Sequence, residues 1–304
     1  MDWLTYVFTA DDVFWLEEFI GDWFFVIAAS LFIVEILRYA FKKQITKNLL
    51  GDSVANFVTL ALFIAIVSLV GLAYLGIFFY VYEHFRVTDL PLTLWTIGCC
   101  IVLADLAYYW EHRFLHKNGF AWATHTVHHS SPYFNISVAY RFGPLDWLFP
   151  LFFHLPLALL GFHPFVILLA EMVVQVFQTL LHTEAVKKFP RPIEAVFNTP
   201  SHHRVHHATN SQYLDKNYAG IFIIWDRMFG TFAKEEETVT YGVFPRINSV
   251  NPFKIFFSGY VKLVQQLISA PSWSYRWKLL VKPPIWVWQQ EQAVKKEQGK
   301  KREG

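Results

Sequence analysis

From Ser53 to Tyr82 the chain carries no charged residue. A helix crosses the hydrocarbon core of a bilayer with about 20 mostly apolar residues. This run is long enough to do so with tilt, and too long for an ordinary buried helix of a soluble domain. Composition agrees: 54% of the 304 residues are hydrophobic, 19% aromatic and only 16% charged, a balance that points to a membrane. The formal net charge of +2 identifies no partner. No basic stripe interleaved with aromatics marks a nucleic-acid groove, so nucleic acid is not expected as a partner.

Other segments repeat the pattern less cleanly. Trp23 to Phe41 is apolar apart from Glu35 and Arg38, which lie one helical turn apart and can pair. A third span is expected from Pro91 to about Trp110, with Asp105 near its end, running directly into a histidine-rich segment. Trp147 to His182 is again apolar, and Gly161-Phe162-His163-Pro164 reads as a turn dividing it into two helices of about 15 to 18 residues, a short hairpin that need not cross completely. Phe253 to Ile268, followed by Trp273, Trp277, Trp286 and Trp288 among lysines, reads as a helix at the lipid interface. From Glu291 the charged tail reads as disordered.

Acidic Asp11, Asp12, Glu17 and Glu18 precede the first span and Lys42, Lys43 and Lys47 follow it. The positive-inside rule therefore puts the first loop in the cytoplasm, and counting spans puts every histidine cluster there too. The start Met1-Asp2-Trp3 lacks the basic region and cleavage site of a signal peptide, so the first span is expected to be retained. Adjacent Cys99 and Cys100 suit neither an unstrained disulfide nor a zinc knuckle and read as packing residues. No internal repeat of fixed period is evident. The expected architecture is an all-α integral membrane protein, a single domain over residues 1–304, with about four to five transmembrane helices capped by a cytoplasmic, helical, histidine-rich metal domain. Its metal region covers about residues 90–235, and an interfacial helix and basic tail cover about 252–304.

The chemistry lies in the histidines. Of 13, nine form a pattern: His112 with His116, His125 with His128 and His129, then His182, then His203 with His206 and His207. Residues three and four apart share a helix face, so His112 and His116 can aim at one point, as can His125 with His128 or His129. Neutral imidazole suits iron, copper, zinc or nickel, and so many ligands exceed the four of one tetrahedral zinc site, which argues for two metals. There is no H-E-x-x-H and no pair of E-x-x-H helices, which leaves a site that is all histidine or nearly so. Isolated His84, His154 and His163 read as ordinary packing or interfacial residues. Acidic Asp105, Glu111, Glu184 and Asp226 either orient ligand imidazoles through the second ring nitrogen or form salt bridges with Arg113, Arg141 or Arg204.

These boxes resemble the fatty acid hydroxylase and sterol desaturase superfamily, whose pattern is H-x(3,4)-H, H-x(2,3)-H-H and a later H-x(2,3)-H-H. The matching strings are His112-Arg113-Phe114-Leu115-His116, His125-Thr126-Val127-His128-His129 and His203-Arg204-Val205-His206-His207. Within it the chain looks like the alkylglycerol monooxygenase branch, through His125 to Asn135, Gln178 to Glu184, Asn198 to His207, Asp215 to Tyr218 and Trp225-Asp226-Arg227. The resemblance covers roughly residues 90 to 235. It implies that the nine histidines bind iron, with His182 bridging the second and third boxes. Asn135, Gln178 and Glu184 are the other polar residues expected at the reacting site. Fatty acyl 2-hydroxylases of the superfamily carry a further histidine four residues before the position of His182; here Gln178 stands there, and a water or His202 is left to complete the shell.

The implied activity is that of a membrane-bound, non-haem di-iron oxidoreductase that uses O2 to hydroxylate a C–H bond in an alkyl, acyl or sterol lipid from the bilayer. By analogy with the branch, an ether lipid attacked beside its oxygen would be cleaved through a hemiacetal. No flavin, haem or iron–sulfur motif is evident, so electrons are expected from a partner protein or a reduced pterin. Ligand spacing does not separate hydroxylation from desaturation. A metal transporter would place its ligands near the middle of broken spans, whereas here they cluster at span ends.

Overall fold

Thr9 opens the first helix with a capping box: its hydroxyl accepts from the Asp12 N–H, and the Asp12 carboxylate accepts from the Thr9 N–H, which satisfies two free donors at once. Helix α1 therefore runs Ala10–Phe41, starting well before Trp23 because the capped, acidic first turns are helical although they are not apolar. Lys43, at φ 54°, turns the chain, and Thr46 caps α2, Lys47–Phe85. The computed structural model describes residues 6–290 and 292. The Met1-Asp2-Trp3 start and, apart from Gln292, the tail from Glu291 lie outside the described residues.

Among the described residues α1 and α2 are long and apolar enough to cross a membrane. Their outer surfaces present large apolar side chains such as Phe25, Val34, Leu69 and Leu72, a band that lipid can cover and water cannot. Glu35 and Arg38, which could pair, turn to other partners. Glu35 accepts from the Ile136 N–H at 2.6 Å and the Thr183 hydroxyl at 2.5 Å, while Arg38 reaches the Glu184 carbonyl at 3.4 Å.

Helix α3, Leu94–Lys117, covers most of the segment expected as a third span and runs straight into the first histidine box, but it is not among the described helices long and apolar enough to cross a membrane. Asn118 then ends it and starts α4, Gly119–His129: its N–H donates to the Phe114 carbonyl, and its side-chain oxygen accepts from the Phe120 and Ala121 N–H groups. One residue thus makes the corner that folds the first box against the second. Gly119 is required there, because a Cβ would lie 2.0 Å from the Leu279 carbonyl oxygen.

A short 3-10 turn, Ile136–Tyr140, leads to α5, Leu148–Leu160, and α6, Pro164–Leu180. The turn between them falls where the Gly-Phe-His-Pro string puts it. Gly161 adopts φ 102° and ends α5; Pro164 takes the first helical position of α6, where its missing N–H has no cost. At 13 residues, α5 is about 20 Å long, short of a bilayer core.

Helices α1, α2, α3, α5 and α6 share a core containing Phe78, Cys100, Ala104, Ala158, Val166 and Ala170. Cys100 packs there as expected; Cys99 is exposed instead, since neighbours on a helix point about 100° apart. Beyond α6 lie the short helices α7 (Arg191–Val196), α8 (Pro200–His206) and α9 (Ile224–Met228). Helix α10, Pro252–Ser269, does not simply lie in the interface: Ile255 and Leu263 pack onto Val127 and Ala123 of α4. Helix α11, Trp273–Val281, joins it through Leu279, while Trp273 and Trp277 stay exposed.

Candidate metal centre

All nine histidines of the pattern meet. His112, His116, His125, His129 and His206 form one group, His128, His182, His203 and His207 a second, and within each group the facing ring nitrogens lie within 4.8 Å of one another. Three boxes are therefore sorted into two groups, and the sorting follows helix geometry. His125 joins His129 and His203 joins His207, four residues on in each case, whereas His128 and His206, three residues on, go to the other group. The adjacent pairs His128-His129 and His206-His207 serve both groups. The expectation that His125 could work with either His128 or His129 is narrowed to His129.

The arrangement fits metal ions. Facing ring nitrogens stand 3.1 Å apart for His112 and His125, 3.2 Å for His129 and His206, 3.2 Å for His128 and His182, and 3.0 Å for His182 and His203. Ligand atoms about 2.1 Å from one ion and at right angles across it are about 3 Å apart. The Nε2 atoms of His116 and His207 are buried without a hydrogen-bond partner, an omission that proteins seldom tolerate unless another atom is to be bound. Burial is nearly complete for eight of the nine, His128 being intermediate. Burial is the main cause that drives the imidazole pKa values down, to about 3 for His182 and about 4 for His206, and well below the usual value for His112 and His203. All of them are thus neutral near pH 7, the form that binds metal.

For three of the rings the second nitrogen is held by a backbone carbonyl, not by one of the carboxylates weighed for that role. His112 Nδ1–H donates to Tyr218 at 2.9 Å, His206 to Lys216 at 3.0 Å and His182 to Gln178 at 2.9 Å. The aspartates act behind those carbonyls. Asp226 accepts from the Tyr218 and Ala219 N–H groups at 2.9 and 2.8 Å, and Asp105 from Ile221 and Phe222 at 2.5 and 3.0 Å, so both hold the loop that aims the rings. That loop bends at Asp215 and Asn217, φ 61° and 56°, residue types that tolerate left-handed backbone. Asp215 is also the carboxylate nearest a ligand ring, 3.9 Å from His116 Nδ1. Glu111 stands apart, facing His154 at 3.8 Å. Of the arginines weighed as partners, Arg141 binds Asp52 at 2.9 Å, Arg204 binds Glu235 and Arg113 reaches the Tyr109 hydroxyl.

Arg141 is the structural member that sequence reasoning undervalued. Fully buried, it bonds Asp52 and Asn56 at the start of α2, and the Val127 carbonyl and Ser130 hydroxyl at the end of α4, tying the second box to α2. Deleting one member of such a buried ion pair costs about 3–5 kcal/mol. Aromatic walls close the centre: Trp122 lies 4.9 Å from His116 and Phe134 stacks on His182 at 5.5 Å, centroid to centroid. Neither carries a spacing signal in the sequence.

The other expected residues are placed as follows. Gln178 is buried, but His182 lies past the end of α6, so the two side chains do not share a continuous helix face. His182 is aimed by the Gln178 backbone carbonyl, and the Gln178 amide donates to the Ala219 carbonyl at 3.1 Å. Asn135 is buried and caps the 3-10 turn, its oxygen accepting from Ser137. Glu184 is exposed and meets the Tyr241 hydroxyl at 3.3 Å; Tyr241 in turn stacks on Phe134. His202 belongs to neither histidine group and faces Glu194 at 3.7 Å. His84 and His163 make local helix contacts, and His154 is a core residue buried against two backbone carbonyls, all three in keeping with ordinary packing or interfacial histidines.

A helical frame that sorts three histidine boxes into two groups beside membrane-length helices defines a class: the chain belongs to the fatty acid hydroxylase family, whose pattern matches residues 97–231 and so encloses all nine histidines and the loop behind them. Within that class its similarity runs to alkylglycerol monooxygenases. It is 40% identical over 213 residues to the alkylglycerol monooxygenase of Danio rerio, covering 70% of this chain and 47% of that protein. Against the Homo sapiens alkylglycerol monooxygenase it is 37% identical over 210 residues, 69% and 47% of the two chains. An ornithine lipid hydroxylase of Rhizobium tropici is 31% identical over 152 residues, 50% of this chain and 45% of that one. The chain thus spans about half the length of the curated relatives it matches. No solved structure matches it.

Proposed function

We propose that this chain is a membrane-bound di-iron oxygenase that hydroxylates a C–H bond of a lipid drawn from the bilayer, with an alkyl ether chain as the favoured substrate. The observation that carries the proposal is the division of nine histidines, neutral near pH 7, into facing groups of five and four. Iron held there, given O2, two electrons and two protons, supplies the oxidising power to convert a C–H bond to an alcohol with release of water. The electrons come from a redox partner or a reduced pterin. Hydroxylation beside an ether oxygen gives a hemiacetal, which collapses to an aldehyde and a free glycerol derivative; the relatives named alkylglycerol monooxygenase support that choice.

The protein's own work is placement. Carbonyls of Gln178, Lys216 and Tyr218 fix which imidazole nitrogen faces inward. Trp122 and Phe134 keep water from the rings, and the apolar flanks of α1 and α2 offer a lipid chain a path alongside them. The centre lies by the end of α1 and the start of α2, where Glu35 and Asp52 reach its supports. It is therefore not midway along a span, as a metal transporter would require. The same end carries Lys42, Lys43 and Lys47, which supports a cytoplasmic centre. Cysteines placed at exposed Lys47 and Gln212 should then react only with reagent on the cytoplasmic side, and labelling of Gln212→Cys from outside would reverse the orientation.

Purification without oxygen, metal analysis and mass spectrometry of lipid products test the reading directly. About two irons per chain and a product heavier by one oxygen are expected. A product lighter by two hydrogens would make the enzyme a desaturase, and a fully active iron-free preparation would end the proposal.

A further inference from the structure

Beside the histidine centre, on the far side of α8, a cavity of about 410 Å³ opens to the surface, a volume suited to a small-molecule group. Four cationic side chains line it, Lys188, Arg191, Arg227 and Lys234, against two carboxylates, Glu194 and Glu235. Both carboxylates are already engaged. Glu235 takes two bonds from Arg204, at 2.6 and 2.8 Å. Glu194 accepts from the Phe189 N–H at 3.0 Å, the Thr199 hydroxyl at 3.1 Å and the Ser201 hydroxyl at 2.8 Å. Positive charge is left in excess.

Two of the cations are held in place without being neutralised. The Arg227 guanidinium lies 3.7 Å from the centre of the Phe232 ring and donates to the Glu194 carbonyl at 3.1 Å, and the Lys188 ammonium donates to the Glu235 carbonyl. Arg191 and Lys234 are exposed and form no ion pair among the described residues. Two guanidinium forks with two ammonium groups match the several oxygens of a phosphate better than a lone carboxylate. Phe189 in the lining is exposed, as are Ile193, Val196 and Phe197 in and just after α7, the helix that carries Arg191 and Glu194, a mixture of apolar and cationic groups as at a surface that meets lipid.

We propose that this cavity is a phosphate-binding site, occupied either by the headgroup of a lipid or by a soluble phosphate ester. The inference goes beyond the oxidative reading and does not depend on it, because binding needs neither metal nor turnover. Its nearness to the centre is covalent: His202, in the cavity wall, precedes His203 of the four-histidine group.

The test uses the full chain in neutral detergent micelles. Equilibrium binding is measured for inorganic phosphate, for glycerol phosphate, and for micelles doped with short-chain phosphatidic acid against micelles doped with phosphatidylcholine. An Arg191→Gln/Lys234→Gln double variant alters exposed residues only, and a Lys254→Gln/Lys278→Gln variant controls for loss of charge elsewhere. At least one phosphate probe should bind the parent, and the double variant should weaken it by about tenfold or more while the control does not. Binding of doped micelles alone assigns a lipid headgroup; comparable binding of glycerol phosphate assigns a soluble ester. Absence of binding by every probe, or equal weakening in the control, would overturn the proposal.

Discussion

The five-histidine and four-histidine groups share α4 and α8 but are secured differently. In the first, His112, His116, His125, His129 and His206 all stand on α3, α4 or α8, and two of them are braced by carbonyls of the loop that Asp226 and Asp105 hold. In the second, His182 follows the end of α6, and its segment is fixed through Thr183 to Glu35 of α1. His203 Nδ1 and His207 Nε2 of that group have no hydrogen-bond partner in the protein. One group thus rests on the loop that follows α8, the other on α1, so their supports can be cut separately.

The largest effect should come from the ligands themselves. His116→Ala and His182→Ala should each lower iron from about two to about one per chain and reduce turnover by more than about 100-fold, with the protein still in the membrane fraction. Loss of all iron in both variants would mean that the groups do not fill independently.

Smaller and more selective losses should follow from the supports. Asp226→Asn removes one acceptor behind His112, and Glu35→Gln removes one behind His182. Each should speed chelator release of one iron, with an affinity loss of about 10- to 100-fold, and the two variants should affect different irons, distinguishable by whether His116→Ala or His182→Ala abolishes the fast phase. If both variants release the same iron, the contrast drawn between the groups fails.

The smallest effect is expected at Gln178. Because the backbone carbonyl aims His182, Gln178→Ala should keep both irons and change turnover by only about three- to tenfold, through loss of the bond to Ala219. Iron loss equal to that of His182→Ala would make the amide a ligand.

The apolar run of α2, the Gly161–Pro164 turn and the nine histidines were all legible in the sequence, since each is written in side-chain type and spacing. The long start of α1 was also written, in Thr9 and Asp12, but hydropathy passes over a helix whose first turns are acidic. What holds the rings was not legible. Tyr218 and Lys216 act through carbonyls that every residue possesses, and only the left-handed bends at Asp215 and Asn217 bring them to His112 and His206. Arg141 likewise reads as one of three arginines that could pair with Asp105, Glu111, Glu184 or Asp226, until the fold places Asp52, which is none of these, beside it.

The doubled histidines on α4 and α8 make each helix a ruler shared by two sites. In this chain the count along the ruler decides which group each ring joins. One residue inserted between His125 and His128 would turn His128 and His129 by about 100° relative to His125 and misdirect a ligand of both groups together. The spacing within each box of this chain is therefore as much a part of the centre as the imidazoles themselves.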